Sequence, residues 1–70
     1  MKISARNQLA GVVTSVKEGV VTAEVVVKIG SGEEIVSVVT LESVHALDIK
    51  PGSAVKAIIK ATEVMLATEA

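Results

Sequence analysis

From Val21 to Ile29 the chain alternates. Val21, Ala23, Val25, Val27 and Ile29 stand at every second position, with Thr22, Glu24, Val26 and Lys28 between them. Period two puts one set of side chains on a buried face and the other on the opposite face, so this segment is a half-buried β-strand. Valine fills 14 of the 70 positions, mostly at strand spacing. Gln8 to Val16 is β-rich and ends at Lys17-Glu18-Gly19, a hairpin signal in which glycine is free to take positive φ. Gly30-Ser31-Gly32 makes the next turn, and Ile35 to Val39 forms a third strand that is apolar on both faces.

The period then changes. Leu41, Val44 and Leu47 recur at helical spacing, with Thr40 placed as N-cap and Glu42 in the first turn, where a carboxylate suits the helix dipole. This predicts a short helix of about two turns. Lys50-Pro51-Gly52-Ser53 has proline and glycine in the order of a type II turn. Ala54 to Lys60 reads as a fourth strand, with Val55, Ala57 and Ile59 on one face and Lys56, Ile58 and Lys60 on the other. Glu63 to Ala67 reads as a fifth. The predicted fold is therefore all-β, an OB-like five-stranded Greek-key barrel with one short helix. It forms one domain over residues 1–70, without internal repeat or linker.

A chain of this size buries only about 60% of its unfolded surface. It has no cysteine for disulfides, and a single histidine cannot build a structural zinc shell. Hydrophobic residues make up 50% and aromatic residues 0%, so the core must come from small aliphatic side chains. Oligomerisation is the remaining route to stability. Val26, Val39 and Ile58 are expected on faces that a monomer would expose. A net charge of −1 argues against electrostatic binding to nucleic acid, and the lack of aromatics removes stacking platforms for single strands. No apolar run approaches the ~18 residues of a membrane span, and no basic-then-apolar leader opens the sequence. A soluble, cytoplasmic protein is the expectation.

Polar chemistry is concentrated at two places. Ser4, Arg6, Asn7 and Gln8 bring hydroxyl, guanidinium and amide donors together near the start, and Lys60-Ala61-Thr62 adds an ammonium and a hydroxyl near the end. Donors at both ends of an apolar barrel suit an anion better than a metal cation. Ser4 and Lys60 are also the residue types of a nucleophile pair. A donor-lined pocket uses them without needing a perturbed lysine, and no carboxylates sit in an acid–base arrangement, so the chain is not expected to be an enzyme. Each residue also has a purely structural reading. Ser4 and Asn7 can fix the start of the first strand, Lys60 can be a solvated strand-end lysine, and His45 can face solvent or an interface. Met65 and Leu66 read as core or interface.

The run Ser4-Ala5-Arg6-Asn7-Gln8-Leu9-Ala10-Gly11-Val12-Val13 resembles the start of the molbindin (Mop) domain, a molybdate-binding module. Val55-Lys56-Ala57-Ile58-Ile59-Lys60-Ala61-Thr62-Glu63-Val64-Met65-Leu66 resembles its close. Ile35 to Ser43 and Leu47-Asp48-Ile49-Lys50-Pro51-Gly52 resemble the central strand, helix and turn, so the likeness spans the chain. It implies an OB-like barrel that assembles as a hexamer, a trimer of dimers, with oxyanions bound between subunits. It implies molybdate or tungstate as ligand, and a role in intracellular molybdenum storage or homeostasis. The site residues it implies are Ser4, Ala5, Arg6, Asn7, Lys60, Ala61 and Thr62. Ser43, at the start of the helix where terminal amides favour an anion, is expected to reach in from a neighbouring part of the pocket or another subunit. Thr62 stands where the family often has serine, which keeps the hydroxyl and adds a methyl. The alternative is an assembly module whose polar clusters only fix the ends of the barrel. Direct grip on a flat pterin would call for aromatic stacking, which this chain lacks.

Overall fold

The computed structural model describes residues 2–69. Four antiparallel strands, β1 (Asn7–Glu18), β2 (Thr22–Ile29), β3 (Glu34–Thr40) and β4 (Ala54–Ile59), form one sheet in the order β3-β2-β1-β4. β1 is the organising strand. Its first half pairs with β4, from Asn7 opposite Ile59 to Val12 opposite Ala54. Its second half pairs with β2, from Gly11 opposite Ile29 to Glu18 opposite Ala23. The β1–β2 register shifts between Val13 and Ser15. Such a bulge bends a strand and raises its twist, which lets a sheet of few strands curl on itself. Gly11 sits where β1 crosses closest to β2. A Cβ there would lie 2.6 Å from Val27 Cγ1 and 2.7 Å from the Lys28 carbonyl oxygen.

The concave side holds the core. Val13, Ala23, Val25, Val27 and Val44 are buried, with Val16, Ile29, Val39, Leu41, Ile49 and Val55 packed around them. The period-two alternation of β2 is realised, with Ala23, Val25 and Val27 inward and Thr22, Glu24 and Lys28 exposed. Val39 is on the core side of β3, contrary to its expected exposure, because the strand alternates from Ile35 inward. The outward apolar residues of β3 are Val36 and Val38. Val26 is half-buried, and Ile58 is exposed as expected.

Helix α1 (Leu41–Ala46) carries Val44 into the core between β3 and β4 of the chain path. Thr40 caps it as predicted, its hydroxyl accepting the Ser43 N–H. The helix is one residue shorter than expected, since Leu47 is the C-cap. Asp48 follows with φ 52°. The Asp48 N–H donates to the His45 carbonyl and the Ile49 N–H to the Val44 carbonyl, which satisfies the last turn in a Schellman arrangement. Gly52 has φ 95° and the Ser53 N–H donates to the Lys50 carbonyl, as the predicted turn requires. The first hairpin differs from expectation. β1 runs on to Glu18, and Gly19 closes the turn by donating to the Thr22 carbonyl without taking positive φ.

The fifth strand is absent from the sheet of described residues. After β4 the chain makes a 3-10 turn at Ala61–Glu63, and residues 64–69 then pair with no strand. A strand needs a hydrogen-bonding neighbour, and after this turn residues 64–69 are assigned to no strand. Met65 and Leu66 are accordingly 92% exposed and do not belong to the core. The curled sheet stays open between β3 and β4, where a barrel would close.

Candidate functional site

The β1–β4 register decides where the polar clusters meet. With Asn7 opposite Ile59, the residues before β1 and those after β4 leave the sheet at one corner. There Ser4, Ala5, Arg6 and Asn7 join Lys60, Ala61 and Thr62 around a cavity of about 450 Å³. The sheet thus brings the two polar clusters onto a single surface.

Local bonds brace both walls. Asn7 Nδ2 donates to the Ile59 carbonyl at 3.2 Å, tying one wall to the end of β4. Gln8 Nε2 donates to the Ala5 carbonyl at 2.8 Å, closing the loop before β1. On the other side Lys60 keeps extended backbone, and the Glu63 N–H donates to the Lys60 carbonyl at 2.9 Å. That bond is the first of the 3-10 turn, so the N–H groups of Ala61 and Thr62 precede it with no partner inside the turn.

The cavity is rich in donors. Its lining residues include the hydroxyl-bearing Ser4 and Thr62 and the cationic Arg6 and Lys60, and no residue with a carboxylate or imidazole lines it. Among the described residues the ion pairs are His45–Glu18 at 3.0 Å and Lys50–Asp48 at 3.5 Å, so neither Arg6 nor Lys60 is neutralised by an acid. None of the seven lining residues is buried. An oxyanion has only acceptor oxygens, and a surface that offers donors and cations without a competing carboxylate suits such a group. Among the described residues no three His, Cys, Asp or Glu side chains gather as a cation site. Among the described residues no helix is long and apolar enough to cross a membrane.

Ser43 lies apart from this cavity. Its N–H donates to Thr40 Oγ1 at 3.1 Å, and its hydroxyl oxygen accepts from Thr40 Oγ1 at 2.7 Å. The amide expected to face an anion is thus engaged in capping its own helix. His45 is exposed and meets Glu18. Gln8 was legible as a polar residue of the opening run, but its bracing of Ala5 depends on a loop conformation that spacing alone does not specify.

An antiparallel curled sheet with one short helix defines a small β-domain with a polar, acid-free cavity at one corner. Residues 3–66 match the TOBE domain family. The chain is 50% identical over 66 residues to molybdenum-pterin-binding protein 3 of Clostridium pasteurianum, a span of 94% of this chain and 97% of that protein. It is similar in structure to a molybdate binding protein from Sporomusa ovata, with a TM-score of 0.91 and 41% identity over 97% of this chain and 100% of the other. It is also similar to the cytoplasmic molybdate-binding protein ModG with molybdate bound, with a TM-score of 0.84 and 49% identity over 87% of this chain and 43% of that one. The chain belongs to the TOBE-domain family, and its 70 residues carry one copy of the fold of the molybdenum-pterin-binding (Mop) proteins.

Proposed function

We propose that this protein binds molybdate, and tungstate of like size and charge, in the cavity at the β1–β4 corner. The observation that carries this is the convergence of Ser4, Ala5, Arg6 and Asn7 with Lys60, Ala61 and Thr62 around one space that has two cationic side chains and no acid. Relatives that bind molybdate support the choice of anion. Molybdate is a tetrahedral dianion, and removing it from water is costly unless donors and positive charge replace its hydration. In our reading Lys60 and Arg6 supply charge, the hydroxyls of Ser4 and Thr62 donate, and the amides of Ala5, Ala61 and Thr62 complete the shell. Asn7 both lines the cavity and holds its walls together.

One chain leaves the cavity open to solvent. We infer that a second subunit covers it and contributes Ser43, in a homo-oligomer of the hexameric, trimer-of-dimers kind. Binding without chemistry then suits cytoplasmic storage or homeostasis of molybdenum and not catalysis. Equilibrium dialysis against molybdate, with sulfate and phosphate as competitors, tests the assignment. Retention of molybdate that excess phosphate does not displace is the expected result. Equal displacement by all three anions would reduce the cavity to a nonspecific cationic corner, and no retention would leave an assembly module.

A further inference from the structure

At the β1–β4 corner the backbone offers acceptors as well as donors, and a carbonyl oxygen turned toward an anion opposes its binding. Two peptides of the 3-10 turn deal with this in the same way. The Lys60 carbonyl accepts the Glu63 N–H at 2.9 Å, and the Ala61 carbonyl accepts the Val64 N–H at 3.4 Å. In a trans peptide the C=O and the following N–H point in opposite directions, and the described residues contain no cis bond. Tying down each carbonyl therefore fixes the N–H on the far side of its peptide, that of Ala61 in one case and that of Thr62 in the other. Neither N–H has a hydrogen-bond partner among the described residues, and both residues line the cavity.

The opposite wall has no turn to do this. Residues 4–6 lie outside any helix or strand, and their backbone groups have no backbone partner among the described residues. Here one side chain takes the place of the turn. Gln8 Nε2 donates to the Ala5 carbonyl at 2.8 Å. A carbonyl only accepts, so the NH2 end of the Gln8 amide is the end that must face it. Gln8 stands on β1 opposite Ile58 and is not among the residues that line the cavity, whereas Ala5 and Arg6 are. Its bond holds the Ala5 oxygen, and so fixes the Arg6 N–H on the far side of the same peptide. That N–H is again without a partner among the described residues.

We propose that Gln8 is a positioning residue for the anion: by holding the Ala5 carbonyl out of the cavity it turns the Arg6 backbone N–H into it. The Arg6 amide then joins those of Ala61 and Thr62, all three aligned by the same device, a carbonyl tied down on the other side of the peptide. Without the Gln8 bond, rotation about the two single bonds that flank the Ala5–Arg6 peptide can flip it, because the backbone dihedrals are soft where the peptide itself is stiff. The flipped peptide puts an acceptor where a donor stood, so the anion loses one hydrogen bond and meets the negative end of a dipole. Asn7 does not replace Gln8 in this task, since its side-chain amide is engaged by the Ile59 carbonyl. The inference rests on the anion assignment above and adds the residue that sets the polarity of the front wall.

Arg6 is the only arginine of the chain, which gives this peptide a private signal. Alanine labelled at its carbonyl carbon and arginine labelled at its backbone nitrogen make Ala5–Arg6 the one bonded pair of labelled atoms, readable by NMR in the whole protein. Molybdate is added to the unsubstituted protein and to Gln8→Leu, which keeps the bulk of the side chain without a donor, and affinity is measured beside it by equilibrium dialysis. The expected result in the unsubstituted protein is a saturable downfield shift of the Arg6 amide proton. In Gln8→Leu that shift is lost and affinity falls by roughly tenfold or more. Gln8→Glu, of equal length but with no N–H to give, should lose at least as much. Molybdate retention with the Arg6 amide unmoved would overturn the role of Gln8 while the anion assignment stands, and that result requires no variant to fold. Full affinity in Gln8→Leu, or weak binding that keeps the Arg6 shift, would overturn it as well. No retention by the unsubstituted protein would instead refute the anion assignment itself.

Discussion

At the scale of single residues, Lys60 and Thr62 separate charge from hydrogen bonding at the cavity. A hydrogen bond to a charged group contributes about 1.5–3 kcal/mol, so Lys60→Ala should weaken molybdate binding by roughly 10- to 100-fold. Unchanged affinity in dialysis would remove Lys60 from the site. Thr62→Ser keeps the donor and should bind within a few-fold of the original, whereas Thr62→Val keeps the shape, loses the hydroxyl and should fall by up to about tenfold. Gly11 tests the fold instead of the ligand. A methyl there meets a backbone carbonyl that cannot rotate aside, and overpacking of this kind costs about 1–3 kcal/mol in a urea melt. Gly30→Ala, with open space around it, should stay within about 0.5 kcal/mol. At this scale the sequence was informative about composition of the site. The Ser4–Asn7 and Lys60–Thr62 clusters could be read directly because they are polar islands in an apolar chain. Ser43 lies outside the cavity of its own chain and bonds Thr40, so its expected part in the site rests on a neighbouring subunit, which sequence cannot place.

At the scale of elements, the end of α1 offers a stabilising change. Asp48 holds φ 52°, a left-handed conformation that costs a residue with a side chain about 1–2 kcal/mol. Glycine relieves that strain and gives back about 0.5–1 kcal/mol in unfolded-chain entropy. Its lost ion pair with Lys50 is exposed and worth little. Asp48→Gly should therefore raise the unfolding midpoint slightly, and a fall would show that the Asp48 side chain has a role its contacts do not reveal. The strands of alternating pattern and the Thr40 cap were legible because period and cap chemistry are local. The fifth strand was not. Residues 63–67 have strand-like composition, but strand formation depends on an edge to pair with, and nothing local specifies which edge that is. The shift at Val13–Ser15 was equally hidden, since a bulge is a property of two strands in register.

At the scale of the whole molecule, only five described residues are buried, while Met65, Leu66, Val36 and Val38 stand in water. On the proposed oligomeric reading, a chain with so small a core and so much exposed aliphatic surface is expected to gain stability by association. Light scattering at micromolar concentration should find no compact species of 7.2 kDa, and a stable monomer would contradict this. Ligand held between subunits should also raise the unfolding temperature as molybdate is added, by mass action on the assembled state. The full-length likeness to Mop proteins carries the expectation of assembly, whereas the open seam between β3 and β4 becomes visible only once the strands are paired.

Isothermal titration calorimetry with molybdate, against sulfate and phosphate, tests the central claim most directly. Saturable molybdate binding, with the other two anions much weaker and fewer than one site per chain, is the result expected of a donor cavity completed between subunits. Absence of heat with molybdate, or equal binding of all three anions, would contradict it.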